Sequence, residues 1–201
     1  VINGRREATL QRAAKEIDAS GESVAFYAGD IGKVGVSSGL IDFAANRFGG
    51  VDILLNNAGV FSPKPFLEHT EAEYDRCVDT ILKGKFFTAQ AAAIAMKQRG
   101  GGTIVQTGSM WGLQAIAATP SSAYSAANAV APAVVETPVY ETFMTREQVQ
   151  AALSGFNAFH PLGRNGQPQD IVNALLFLAS EEASWIAGTV LSGDGGVMAC
   201  R

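Results

Sequence analysis

Short apolar strands alternate with amphipathic helices along this sequence, and this alternation restricts the fold more than any other feature. Residues 52–56 (DILLN) are typical of a buried strand, and residues 103–106 form another between glycines. The segment that ends near residue 19 instead repeats apolar side chains at helical spacing. Strands alternating with helices predict an α/β fold, in which helices cover both faces of a parallel sheet.

The same alternation of strands and helices continues through the chain. Thr70 and Glu73 have the spacing of a capping box at the start of a long helix. The sequence predicts strands over residues 23–28, 52–56, 103–106 and 189–192, and helices ending near 19 and 48 and covering 70–99, 145–153 and 168–180.

Composition restricts the class of partner. A chain of 201 residues, 47% hydrophobic and 17% charged, predicts one soluble domain over residues 1–201, and no apolar run reaches the ~18 residues that span a bilayer. A net charge of -4 with scattered basic residues argues against nucleic acid, so a small molecule is the expected partner. Cys77 and Cys200 have no CxxC spacing, which favours free thiols and a cytoplasmic location. His69 and His160 lack the sequence spacing of metal ligands.

A serine and a tyrosine stand where α/β folds carry out chemistry. Ser109 follows the strand 103–106, and Tyr124 opens a short helical run fifteen residues later. In open α/β sheets the ligand binds at the carboxyl ends of the strands. The two hydroxyl groups are therefore candidate catalytic groups.

Seven motifs in order resemble the short-chain dehydrogenase/reductase family over essentially the whole chain. They are Asp30, the NNAG run at 56–59, Ser109, Tyr124, PAVVET at 132–137, PLGR at 161–164 and DGG at 194–196. The resemblance implies a Rossmann-like doubly wound parallel sheet in a single domain. It also implies reversible hydride transfer between a nicotinamide and a carbonyl or secondary alcohol.

The resemblance assigns roles to individual residues. Tyr124 would act as general acid and base, while Ser109 would stabilise the substrate oxygen. The cofactor-binding set would be Arg5, Arg6, Asp30, Asn57, Ala58, Gly59 and Thr137, with Thr137 meeting the nicotinamide carboxamide. The NNAG run also fits a plain strand-to-loop turn, and Asp30 fits an Asx turn as well as an adenine contact.

Residues 4–6 indicate which of the two nicotinamide cofactors the protein prefers. Gly4 stands where an acidic residue would bind a ribose 2'-hydroxyl, and Arg5 follows it, which favours NADP(H) over NAD(H). The alternative is that Arg5 and Arg6 only solvate the first turn of a helix. No metal is expected.

Aromatic and sulfur-containing side chains are candidates for the substrate pocket. Trp111, Phe61 and Met144 occupy loops near the expected site, and Trp111 fits core packing or a subunit contact equally well. The resemblance further implies a homo-oligomer, either a tetramer or a dimer.

Three departures from the family pattern stand out. Asn128 occupies the place of the lysine expected four residues after Tyr124, no glycine-rich loop precedes Val1, and Ile81 replaces an asparagine. We interpret the first two as missing chain: an absent strand, loop and helix before Val1, and a gap between Ala127 and Asn128. The alternative is a catalytically inactive relative that binds a dinucleotide or a protein.

Overall fold

A computed structural model describes residues 1–109, 134–186 and 191–198. The strands in these ranges are β1 (Ile2–Gly4), β2 (Phe26–Ala28), β3 (Ile53–Asn56) and β4 (Thr103–Gln106). The helices are α1 (Glu7–Ile17), α2 (Val34–Phe48), α3 (Glu71–Cys77), a π-helical segment (Val78–Gly84), α4 (Lys85–Gln98), α5 (Arg146–Phe156) and α6 (Pro168–Ala179).

The chain forms two compact units. The first contains Val1–Val60 and Asp75–Ile104, and the second contains Phe61–Tyr74 and Val105–Arg201. In the first unit β1 and β2 pair in parallel, with Ile2 opposite Phe26. Parallel pairing places the carboxyl ends of both strands at the same edge of the sheet.

The core of the first unit lies between α2, α4 and the second strand pair. Strand β3 pairs with β4, and the Thr103 amide donates to the Asp52 carbonyl at 2.9 Å. The cluster of buried apolar side chains consists of Ile41, Val51, Ala92 and Met96. Fully burying a side chain such as isoleucine stabilises a fold by roughly 1.5 to 3 kcal/mol, so this cluster anchors β3.

The four described strands pair two by two. Within the described ranges, β1–β2 and β3–β4 are separate two-stranded sheets. Ile53 and Leu55 on β3 are 52% and 47% exposed, although the interior strand of a doubly wound sheet is buried on both faces.

A long helical region connects β3 to β4, and the predicted capping box at its start is confirmed. The Thr70 amide donates to Glu73 Oε2 at 2.9 Å, and the Glu73 amide donates to Thr70 Oγ1 at 3.4 Å. The sequence predicts helix over 70–99, and the structure has helix over most of this range, with a π-helical segment before α4. Its last residue is Gly84, where an added Cβ would lie 2.9 Å from the Ile31 carbonyl oxygen, so the glycine permits a close approach of the loop after β2.

Two predicted boundaries are wrong for one shared reason. Helix α1 ends at Ile17 rather than near 19, and β2 begins at Phe26 rather than at 23. The Asp18 carboxylate accepts hydrogen bonds from the amides and hydroxyls of Ser20 and Ser23, which folds the intervening residues into a turn.

The predicted helices of the second unit are present. Thr145 begins α5 with a capping box to Gln148, and the helix continues to Phe156, three residues beyond the predicted end at 153. Helix α6 ends at Ala179, one residue before the predicted end. Residues 189–190 of the predicted last strand, and the predicted gap between Ala127 and Asn128, lie outside the described ranges.

None of the helices in the described part of the chain is both long and apolar enough to cross a membrane.

Candidate functional site

Two arginines that form no ion pair with any described residue follow β1 in the first unit. Arg5 and Arg6 are exposed, and among the described residues neither side chain forms a salt bridge or hydrogen bond. The Gly29 amide donates to the Gly4 carbonyl at 2.9 Å, which brings the end of β2 beside the end of β1. Both guanidinium groups are therefore free to bind an anion at this sheet edge.

Asp30 lies at the end of β2 and forms the Asx turn that the sequence allowed. Its Oδ1 accepts a hydrogen bond from the Gly32 amide at 3.0 Å, and the residue is exposed. The second carboxylate oxygen is not used in this turn. The geometry is compatible with the expected contact to an adenine ring.

The NNAG run forms a tight turn at the end of β3. Asn56 is buried, and its Nδ2 donates to the Lys85 carbonyl at 2.8 Å, which fixes the strand end against the start of α4. The Asn57 amide donates to the Leu55 carbonyl at 3.1 Å, while Asn57 and Gly59 stay exposed and Ala58 is half-buried. The turn thus presents small, accessible residues, as a nearby nucleotide requires.

Lys85 is a buried cation that the sequence reasoning missed. It is 8% exposed, and burial lowers the pKa of its ammonium group to about 8. The sequence signal is a lysine within the otherwise uncharged run GKFFTAQAAA. Ile81, one helical turn earlier, is 2% exposed and offers only an apolar side chain at the position where the family resemblance led us to expect an asparagine.

The second unit carries Ser109 and Thr137. Ser109 lies three residues beyond β4 and is 7% exposed. Thr137 is half-buried, has extended backbone angles and precedes a short 3-10 helix, Pro138–Thr142. No hydrogen bond of the Thr137 hydroxyl occurs among the described residues, so this hydroxyl is available to a ligand.

An aromatic cluster of the second unit includes one of the expected pocket residues. The Phe61 ring meets Phe143 edge to face at 5.3 Å between centroids, and Phe143 lies 6.1 Å from Tyr140. Met144 is half-buried and next to Phe143 in the chain. The structure therefore brings Phe61 to the segment that contains Met144.

Three other expectations concern residues outside this geometry. Tyr124 and Trp111 lie outside the described ranges. Cys77 is buried and forms no disulfide among the described residues, and no cluster of potential metal ligands occurs in residues 1–109, 134–186 and 191–198.

The PLGR and DGG motifs pack against each other in the second unit. The Leu162 amide donates to the Gly195 carbonyl at 3.2 Å, and a cavity of about 320 Å³ lies beside this contact. Arg164 forms a bidentate pair with Asp170 at 2.7 and 3.0 Å. The Asp194 carboxylate accepts from the amides of Gly196 and Met198. These motifs thus hold the second unit together.

Sequence comparisons decide the family. The profile described as "short chain dehydrogenase" matches residues 1–137, and one described as "Enoyl-(Acyl carrier protein) reductase" matches residues 122–198. The chain belongs to the short-chain dehydrogenase/reductase family.

Individual relatives agree with this membership. The chain is 36% identical over 176 residues to a 3alpha-hydroxysteroid dehydrogenase of Mediterraneibacter gnavus, covering 78% of this chain and 68% of the relative. It is 31% identical over 215 residues to the (2S)-[(R)-hydroxy(phenyl)methyl]succinyl-CoA dehydrogenase subunit BbsD of Thauera aromatica, covering 98% and 85%. The crystal structure of a short-chain type dehydrogenase/reductase from Mycobacterium marinum superposes with a TM-score of 0.86 at 29% identity, covering 99% of this chain and 85% of that one.

The expected family and the Rossmann-like α/β fold class are confirmed by these comparisons. The protein is an oxidoreductase of this family that acts on small molecules through carbonyl or alcohol groups. Family membership also confirms the expectation of a nicotinamide dinucleotide cofactor, NADP(H) or NAD(H).

Proposed function

We propose that this protein transfers hydride reversibly between NADP(H) and a carbonyl or secondary alcohol, with Tyr124 as general acid and base and Ser109 stabilising the substrate oxygen. The observation that carries the proposal is the family match across both the cofactor-binding and the catalytic segments. The Ser109 position, buried just after β4, supports it.

The proposed chemistry follows from ordinary hydroxyl properties. The bound cofactor supplies or accepts the hydride at the substrate carbon. In reduction, the Tyr124 phenol donates its proton to the substrate oxygen, while the Ser109 hydroxyl donates a hydrogen bond to that oxygen as negative charge develops. A phenol with a pKa of about 10 is protonated at neutral pH, so reduction can begin from the dominant form of Tyr124. Carbonyl reduction is therefore the direction to assay first.

The preference for NADP(H) over NAD(H) rests on residues 4–6. Two exposed guanidinium groups, which have no partner within residues 1–109, 134–186 and 191–198, follow β1, and Gly4 places no carboxylate where a ribose 2'-phosphate would lie. Charge-assisted hydrogen bonds are worth about 1.5 to 3 kcal/mol, or roughly tenfold to a hundredfold in affinity. Arg5→Ala is expected to weaken NADPH binding by about that factor and NADH binding much less. Arg12→Ala is the matched control, because Arg12 is an exposed arginine on α1 that is paired with Glu16.

We propose a bulky apolar substrate bearing a ring. The Phe61–Phe143–Tyr140 cluster offers aromatic surface, and Met144 offers adaptable apolar surface beside it. The names of two relatives, a hydroxysteroid dehydrogenase and a dehydrogenase of a phenyl-bearing succinyl-CoA, support the same class. Trp111 stays a candidate for this pocket.

The test of function is carbonyl-dependent consumption of NADPH by the protein expressed from its complete gene. A panel of a steroid ketone, an aromatic ketone and a short aliphatic ketone separates substrate classes, and Ser109→Ala is the variant. Substrate turnover that falls roughly a hundredfold or more in Ser109→Ala supports the proposal. Equal turnover in both proteins contradicts the role of Ser109.

A non-catalytic dinucleotide-binding module is the second candidate, because Ile81 is buried and apolar at the position where the family resemblance led us to expect an asparagine. This module would bind NADPH, detected by fluorescence of the reduced nicotinamide, without consuming it in the presence of any ketone. Activity on one member of the panel excludes it.

We propose that the protein forms a homo-oligomer, either a tetramer or a dimer. Apolar side chains at Val172, Leu176 and Trp185 are 42%, 58% and 98% exposed in the second unit. A surface of this kind favours a protein contact. Light scattering coupled to size-exclusion chromatography measures the assembly, and a monomer at micromolar concentration would contradict the proposal.

A further inference from the structure

The backbone that leads to Thr137 is held by the segment before α6. Val135 and Gly166 form a parallel bridge, in which the Gly166 amide donates to the Val134 carbonyl at 2.9 Å and the Glu136 amide donates to the Gly166 carbonyl at 2.8 Å. These bonds fix the chain up to the residue before Thr137. The Thr137 hydroxyl itself stays available, as described above.

Asn165, next to this bridge, holds both ends of the segment that follows Glu136. It is 1% exposed, and its Nδ2 donates to Glu136 Oε1 at 3.2 Å and to the Leu153 carbonyl at 2.7 Å. The Asn165 amide donates to Asn157 Oδ1 at 3.0 Å. Leu153 belongs to α5, and Asn157 directly follows it. One buried side chain thus connects the start and the end of residues 137–152.

The Glu136 carboxylate extends this connection to α6. Its second oxygen accepts from Gln167 Nε2 at 2.8 Å, and Gln167 immediately precedes α6. Hydrogen bonds from Gln167 and from Asn165 lower the pKa of Glu136 below its ordinary value. The carboxylate therefore accepts from two amide groups, one on each oxygen, and an amide in its place could satisfy only one of them.

The segment held in this way contains the groups expected to meet the ligands. Residues 137–152 include Thr137, the Tyr140–Phe143 aromatic pair and Met144. A displacement of about 1 Å at such groups can lower catalysis by about a hundredfold. Side chains that fix both ends of the segment are thus placed to control the positions of these groups.

We propose that Asn165 is a positioning residue for the reaction, acting through Glu136 and Leu153 to hold residues 137–152 in the geometry that binds cofactor and substrate. This inference rests on the proposed function. Glu136 and Gln167 complete the same network and carry no chemistry themselves.

The test uses an exchange of acceptor and donor. In Glu136→Gln, the new amide NH2 must face the NH2 of either Asn165 or Gln167, so one hydrogen bond is lost without a change of shape. In the double variant Glu136→Gln with Gln167→Glu, the new amide accepts from Asn165 and donates to the new carboxylate. The net charge and the number of hydrogen bonds are then restored.

We expect the single variant to change kcat/KM and KM, and the double variant to restore both. Glu136→Gln is expected to lower kcat/KM by about tenfold to a hundredfold, with KM raised for both NADPH and the ketone. The double variant should return to within about threefold of the wild type. Asn165→Asp, which keeps the shape but removes the Nδ2 donor, should lower kcat/KM at least as much. Glu182→Gln and Gln11→Glu are exposed controls for the two chemical changes and should leave activity unchanged.

A second measurement does not depend on activity. Amide hydrogen exchange of residues 137–152 is expected to accelerate in Glu136→Gln and to return to the wild-type rate in the double variant. Unchanged exchange in Glu136→Gln would overturn the inference. A lower unfolding temperature with unchanged kcat and KM would also overturn it, because the network would then be only structural. If exchange responds while the wild type neither binds nor consumes NADPH, the network stands and the proposed function fails.

Discussion

The burial of Lys85 leads to a stability prediction whose sign and size come from the structure. Burial lowers the pKa of the Lys85 ammonium from its ordinary 10.5 to about 8. A change of this size corresponds to about 3 kcal/mol of preference for the neutral form in the folded protein. The group is 8% exposed, so screening by solvent reduces this figure little.

The free energy of unfolding depends on pH because the folded and unfolded states release the Lys85 proton at different pH values. Between pH of about 8 and 10.5, the unfolded chain keeps the Lys85 proton and the folded chain releases it. Raising the pH through this window therefore increases the free energy of unfolding. Below pH 8, both states are protonated, and the free energy of unfolding stays at its lower value.

Lys85→Met removes the charge and keeps a long, unbranched side chain. We expect the free energy of unfolding at pH 7 to rise by up to about 3 kcal/mol, and the increase between pH 8 and 10.5 to disappear. Urea unfolding followed by circular dichroism at pH 7, 8, 9 and 10 measures both effects, and Lys97→Met is the control on the exposed side of α4. A wild-type stability that stays flat over the window, or a destabilised Lys85→Met at pH 7, would refute the reasoning.

Three further predictions concern the cofactor, the aromatic cluster and a helix cap. Gly4→Asp is expected to reduce the ratio of kcat/KM for NADPH to kcat/KM for NADH by roughly a hundredfold. The new Cβ would lie 3.3 Å from a flexible Leu10 methyl group. An unchanged ratio would show that the 2'-phosphate lies elsewhere. Phe61→Ala is expected to raise KM for an aromatic ketone by about tenfold and to change KM for a short aliphatic ketone much less, and equal changes would remove Phe61 from substrate recognition. Thr145→Ala is expected to lower the free energy of unfolding by about 1 kcal/mol in urea titrations. The exposed Thr9→Ala on α1 should change it by less than about 0.5 kcal/mol, and matching losses would contradict the capping role.

Local chemistry allowed much of the fold to be predicted from the sequence. Strand β4 has the predicted bounds, and the capping box at Thr70 is present, because glycines and a Thr-x-x-Glu spacing act on their immediate neighbours. The early end of α1 also has a local cause in Asp18 and its serines, but several turn-forming residues in succession allowed more than one boundary.

Features that depend on distant pairing could not be predicted. The Asn165–Glu136 hydrogen bond joins residues 29 positions apart, and it exists because the backbone at Val135 meets Gly166. The uncharged run around Lys85 is only a weak signal of its burial, because burial is decided by the elements that pack on α4, and the nearby Lys83 is partly exposed. The roles of Ser109 and Arg5 come from the family resemblance alone and stay predictions.

The roles of Tyr124 and Ser109 in hydride transfer are the central claim, and isotope transfer tests it most directly. The protein from the complete gene is incubated with a ring-bearing ketone and NADPH deuterated at the transferable position, and the product alcohol is examined by mass spectrometry. We predict deuterium on the carbinol carbon at a rate that Tyr124→Phe lowers by about 10² to 10⁴, with NADPH binding retained. Deuterium transfer at equal rates in Tyr124→Phe, or an alcohol product without deuterium, would contradict the account.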